Sequence, residues 1–150
     1  PKPQNPISIK ISMIYRYLGN TGLWVSILSF GTMLTSTDEE SVNNLILLIW
    51  KAWDAGINFF DTAEYYGSGL SEQTLGRALK LLPCKWKDYV VTSKYMKIGE
   101  GENDKMLGAK HIYEGVCASL EWMGLEYLDV VFAHWPDFQT PLEETCWAFD

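Results

Sequence analysis

Apolar and polar positions along this chain switch repeatedly between short strand-like runs and helical stripes. Residues 1–14 are polar and proline-containing at their start and read as a loose leader. Tyr15 to Ile27 then holds two short apolar stretches around Gly19-Asn20-Thr21-Gly22. Asn and Gly accept positive φ, so this segment predicts a β-hairpin. Leu28-Ser29-Phe30 reads as a short strand ending at Gly31-Thr32. Thr37-Asp38-Glu39-Glu40 has the form of a capping box. Behind it, Val42, Leu45, Ile46, Ile49, Ala52 and Trp53 share one helical stripe. Gly56 stands where that helix needs a left-handed terminator. A strand over Ile57 to Phe60 follows, then a loop, then a helix from Ser71 to Leu82 stopped by Pro83. Tyr89 to Thr92 is a third strand, followed by a polar loop over 99–108 whose composition predicts an exposed, mobile segment. A helix from Lys110 to Met123 ends at Gly124, and Leu128 to Ala133 is an almost wholly apolar fourth strand. Thr140-Pro141-Leu142-Glu143 combines a capping box with proline at a first helical position, and opens a last helix near the end of the sequence.

Strand starts recur near residues 28, 57, 89 and 128. Steps of about 30 to 40 residues match one strand-helix unit each, which predicts parallel strands joined by helices. Strands with little alternation suit a sheet buried on both faces. Two α/β architectures fit: a doubly wound open sheet, or part of an eight-stranded barrel. Four parallel strands would leave two open edges, which a barrel removes by closing over about 250 residues. The expectation is therefore the N-terminal half of a (β/α)8 TIM barrel in residues 15–150, a bottom hairpin plus about four βα units, with the sequence a shortened version of a longer chain. Two copies completing each other is the alternative.

The composition, 47% hydrophobic and 21% charged, is that of an ordinary globular domain. A net charge of -7 would repel a phosphate backbone, so nucleic acid is not an expected partner. Cys84, Cys117 and Cys146 are odd in number and widely spaced, which suits free thiols better than a disulfide framework or a metal site. The longest apolar run, Leu45 to Trp50, is too short to span a bilayer, and no secretory signal is visible. A cytoplasmic location without membrane insertion and without a metal follows as the expectation.

Barrel enzymes place their chemistry at the C-terminal ends of the strands. Asp61 follows the second predicted strand, Tyr66 lies in the loop behind it, Lys94 follows the third and His134 the fourth. Each has a bland alternative: a turn aspartate, a packing tyrosine, a solvated lysine, a structural histidine beside Trp135 and Pro136. Together they put ionisable groups on one rim, and that combination is hard to reach by packing alone. A phenol titrates near ~10 and is a poor proton donor at neutral pH until a neighbouring ammonium stabilises its phenolate. A carboxylate would hold the ammonium, and an imidazole would orient an oxygen and share the proton. This is chemistry for a carbonyl that becomes an alkoxide while a cofactor delivers hydride, since no side chain can donate one. The turn after Phe30 has no G-x-G-x-x-G pattern, which argues against a doubly wound dinucleotide domain.

Phe60-Asp61-Thr62-Ala63-Glu64-Tyr65-Tyr66-Gly67, followed by Ser71-Glu72 and Leu75-Gly76, resembles the signature of the aldo-keto reductases. Val91-Thr92-Ser93-Lys94 and the run from Asp129 to Asp137 resemble their lysine and histidine strands, and the segment Tyr15 to Ser26 their bottom hairpin. Lys110-His111-Ile112, Ala118-Ser119-Leu120-Glu121 and Thr140 to Glu144 are most similar to the branch that contains voltage-gated potassium-channel β subunits, although the animal channel subunits usually carry Asn where this chain has His134. The resemblance implies an NADP-dependent carbonyl reductase acting on a small-molecule aldehyde or ketone. Asp61, Tyr66, Lys94 and His134 would be its catalytic tetrad, with Tyr66 the general acid, and Thr32, Met33 and Asp61 would approach the cofactor. It also implies a homotetramer, or association with a channel or larger assembly, and leaves open a regulatory or structural subunit in place of an enzyme. The resemblance implies that most contacts to the adenosine phosphate lie in a second barrel half that this sequence does not contain.

Overall fold

The computed structural model describes residues 12–33, 37–96, 101–104 and 106–150. Leader residues 1–11, and residues 99, 100 and 105 of the predicted polar loop, lie outside the described residues.

The hairpin forms as expected, from antiparallel β1 (Tyr15–Tyr17) and β2 (Trp24–Ser26), with Gly19 at φ +56° in its turn. The main sheet consists of β3 (Phe30–Gly31), β4 (Phe59–Asp61), β5 (Val90–Tyr95) and β6 (Val130–Ala133), all parallel and in sequence order. Helices α1 (Glu39–Asp54), α2 (Leu70–Leu81) and α3 (Ala109–Met123) fill the connections, and α4 (Leu142–Phe149) follows β6. This is an α/β fold that fits the N-terminal half of a TIM barrel.

Local chemistry shifts several predicted boundaries. The first helix is capped by Asp38 in place of Thr37, because the Asp38 carboxylate accepts the Ser41 amide at 2.8 Å. At its other end Gly56, at φ +90°, donates to Trp53 while Ile57 donates to Ala52, the paired bonds of a Schellman stop. Those bonds consume the Ile57 amide, and Asn58 ties its side chain to Ser26 and Trp24, so β4 starts at Phe59 instead of Ile57 and runs on through Asp61. The third strand likewise extends past Thr92 to Tyr95, because β6 pairs with Thr92 through Tyr95. The strand β6 begins at Val130 because Asp129 spends its carboxylate on the Val91 amide. The last helix begins at Leu142 with Pro141 as its N-cap, and no Thr140 side-chain cap forms, since the Thr140 amide is turned toward the Asp137 carboxylate.

The core lies between one face of the sheet and its helices. Leu45, Ile49 and Ala52 of α1 and Leu75, Ala78 and Leu79 of α2 close over Phe60 and Val91. Each large apolar side chain removed from water here contributes about 1.5–3 kcal/mol. Helices α2 and α3 approach closely: a Cβ on Gly76 would sit 2.4 Å from the Met123 carbonyl oxygen. That contact sets α2 against the end of α3 and with it the spacing of the loops above.

Candidate active site

Parallel register and strand periodicity assemble this site. Asp61 pairs with Thr92 across β4 and β5, and Lys94 stands two residues beyond Thr92 on the same face. Asp61 is thus the last residue of β4 and Lys94 lies within β5, whereas the sequence reading placed both just after their strands. Lys94 also pairs with Phe132, so His134, two residues past Phe132, continues toward the same side just after β6.

The Lys94 ammonium makes three contacts. It donates to Asp61 Oδ2 at 2.6 Å, to the Thr62 carbonyl at 2.7 Å and to the Tyr66 hydroxyl at 3.3 Å. An ammonium has three N–H bonds, so every donor is assigned. The pair is half-shielded from water, with the Lys94 side chain 17% exposed and that of Asp61 28%. Tyr66 opens a 3-10 turn, Tyr66–Gly69, in which Gly67, Ser68 and Gly69 all take positive φ. This tight bend returns the chain to α2 and leaves the phenol at the rim. Lys94 Nζ lies 4.8 Å from the centre of the Tyr66 ring, and the His134 ring meets the phenol edge-on at 5.7 Å. Trp135 stacks on His134 at 4.5 Å. Burial and the Lys94 charge both hold the His134 imidazole below its usual range, which keeps it neutral at pH 7. Its Nδ1 is buried and has no hydrogen-bond partner among the described residues.

The four predicted side chains Asp61, Tyr66, Lys94 and His134 are therefore brought together. Thr32 lies beside them with its amide and hydroxyl both directed at the Asp61 carbonyl, at 2.9 and 3.2 Å. Met33 comes next along the chain and is exposed.

Residues that the sequence reading passed over complete the surroundings. Thr92 donates its hydroxyl to Asp61 Oδ1 at 2.7 Å; period-two spacing puts it on the face of Lys94 but does not reveal this partner. Glu64, 1% exposed, accepts the Met96 amide at 2.7 Å and pairs with His111 at 3.0 Å, tying the loop that carries Tyr66 to α3. Burial alone would lower the His111 pKa, but the hydrogen bond and charge of Glu64, with Asp104 and Glu114, outweigh it and raise it. On the helix side of β5, Ser93 donates to Glu72 at 2.6 Å, and burial pushes the Glu72 carboxyl up to about 7. A histidine or glutamate on a helix stripe carries no sequence mark of such a pairing. Among the described residues no cluster of three or more metal-ligand side chains occurs, no helix is long and apolar enough to cross a membrane, and the three cysteines are free.

The chain is similar to known proteins. The model described as Aldo/keto reductase family matches residues 27–150. The chain is 43% identical over 138 residues to a probable voltage-gated potassium channel subunit beta of Oryza sativa subsp. japonica, covering 92% of this chain and 42% of that protein. It is 45% identical over 139 residues to a putative voltage-gated potassium channel subunit beta of Schizosaccharomyces pombe, covering 90% and 40%. Among solved structures, an aldo-keto reductase from Bacillus halodurans in its holo form superposes with a TM-score of 0.77 at 32% identity, over 92% of this chain and 45% of that one. The chain thus spans less than half the length of the relatives it matches.

Proposed function

The chain belongs to the aldo/keto reductase family, and from that premise we propose that its site reduces an aldehyde or ketone to an alcohol, with Tyr66 as the proton donor. The observation that carries this reading is the Lys94 ammonium, held between the Asp61 carboxylate at 2.6 Å and the Tyr66 phenol at 3.3 Å. An ammonium at that distance stabilises negative charge as it develops on the phenol oxygen. Asp61 holds the ammonium in place. Neutral His134 presents a ring nitrogen that can hydrogen-bond the carbonyl oxygen without competing as an acid. A nicotinamide cofactor, NADPH in this reading, would supply the hydride to the carbonyl carbon and leave oxidised, as the phenol O–H breaks and an O–H forms on the substrate oxygen. The residues present fit the reacting end of such a cofactor: a proton-donor set on an open rim, an imidazole nitrogen without a partner among the described residues, and exposed Met33 just past β3. Met33 and Asp61 would approach that end, with buried Thr32 fixing the Asp61 backbone behind them.

The test is turnover in the natural protein. It should quench NADPH fluorescence and oxidise NADPH with an aromatic aldehyde. Tyr66→Phe should reduce turnover by about 10²–10⁴-fold while the fluorescence change on cofactor binding persists. Parent-like turnover in that variant would remove Tyr66 from the mechanism.

In this reading residues 15–150 act as the N-terminal half of a barrel, in the cytoplasm. The names of the relatives in Oryza sativa and Schizosaccharomyces pombe favour a second reading, a channel-associated regulatory subunit, with tetrameric assembly. Sedimentation of the natural protein at four times its chain mass would support this reading, and a monomer would count against it.

A further inference from the structure

We propose that Thr92 is a positioning residue of this site, whose hydroxyl fixes the Asp61 carboxylate so that Lys94 stays turned to Tyr66. The inference rests on the reading of Tyr66 as the acid and goes beyond it, because Thr92 touches none of the reacting atoms.

Both oxygens of the Asp61 carboxylate are taken. Asp61 has two carboxylate oxygens, and each is engaged by a different donor: Thr92 Oγ1 on Oδ1 at 2.7 Å, Lys94 Nζ on Oδ2 at 2.6 Å. Bound at both ends, the carboxylate plane cannot turn. Thr92 is itself fully buried and sits opposite Asp61 in the β4–β5 register, so its hydroxyl has a fixed origin. The Asp61 backbone is held as well, its carbonyl accepting from Thr32. The three contacts of Lys94 are unequal, and the phenol contact at 3.3 Å is the longest. Removal of the Thr92 hydroxyl frees Oδ1. A free Oδ1 attracts the same ammonium, since a charged oxygen left unpaired at a half-buried site is costly. The carboxylate then turns to face Lys94 with both oxygens, and the contact that yields is the longest one, to Tyr66. A misplacement of about 1 Å at a catalytic group can cost up to about 10²-fold in rate.

Thr92→Val removes the hydroxyl at nearly constant shape, and Thr92→Ser retains it. In the natural protein, Thr92→Val should lower kcat about tenfold with the KM for the carbonyl within about twofold of the parent. It should also move the Cε resonance of Lys94, assigned by its loss in Lys94→Arg. Thr92→Ser should restore both. If Thr92→Val does not fold, Thr92→Ala tests the same hydroxyl. Parent-like kcat and an unmoved Lys94 resonance in a folded Val or Ala variant would overturn the proposal, as would a loss that Ser fails to rescue. Tyr66→Phe assayed in parallel separates the two ideas: full turnover there removes Tyr66 as the acid, while the Lys94 resonance still decides Thr92.

Discussion

The two faces of one sheet behave as different materials. On the helix side, Phe60 and Val91 are fully buried beneath α1 and α2. On the opposite side, reached by a single step along the same strands, stand Asp61, Thr92, Lys94 and Phe132. Strand periodicity makes this division residue by residue: Phe60 belongs to the core and Asp61 to the site, Ser93 to the helix side and Lys94 to the rim. Stability and chemistry are therefore separable here. The helix side is dry enough to raise the pKa of a carboxyl, as at Glu72, and the other side leaves its ion pair partly in contact with water.

The largest expected effect comes from Phe60. Phe60→Ala removes a fully buried ring packed edge-on against Tyr89 at 6.5 Å, and should lower unfolding free energy by about 3–5 kcal/mol in a denaturant titration. A loss below about 1 kcal/mol would mean that the helix side is not the core described.

The sequence made the pattern of elements legible, because apolar spacing and the stops at Gly56, Pro83 and Gly124 are local signals. It also named Asp61, Tyr66, Lys94 and His134, whose ionisable groups stand out among apolar strands. Boundaries were less legible, because they depend on partners distant in sequence: Asn58 on Ser26, Asp129 on Val91, β6 on the end of β5. Thr92 and Glu64 were missed for the same reason. A threonine in a strand and a glutamate in a loop are ordinary until the fold brings Asp61 and His111 beside them.

A smaller effect should appear as a dependence of stability on pH. The Glu72 carboxyl, near 4.5 when unfolded and about 7 when folded, keeps its proton more readily in the folded chain. The folded state therefore binds more protons between those values, and stability falls as pH rises from about 4.5 to about 7. The shift corresponds to about 3 kcal/mol as an upper bound for this buried group. Glu72→Gln should flatten that fall in melts taken from pH 5 to pH 8. His111 adds a loss of the same sign at higher pH. Its raised value contributes stability fully present below its unfolded value near 6.5 and lost as pH rises through the folded value, so this part should survive in the Gln variant. A pH profile unchanged by Glu72→Gln would show that the helix side is wetter than its burial indicates.

The smallest effect sharpens the comparison most directly, because it concerns the same residue type on the other face. Phe132 of β6 pairs with Lys94 and is 44% exposed, against 0% for Phe60. Phe132→Ala forfeits only part of a ring's burial and leaves no closed cavity, so it should cost less than about 1 kcal/mol in the same titration that reads Phe60→Ala. The substitution also reports what lies against this face. A cost that stays below about 1 kcal/mol means that the face carrying Lys94 meets solvent or ligand. A cost that rises toward that of Phe60→Ala means that further protein covers Phe132, and the two faces then differ in chemistry but no longer in burial.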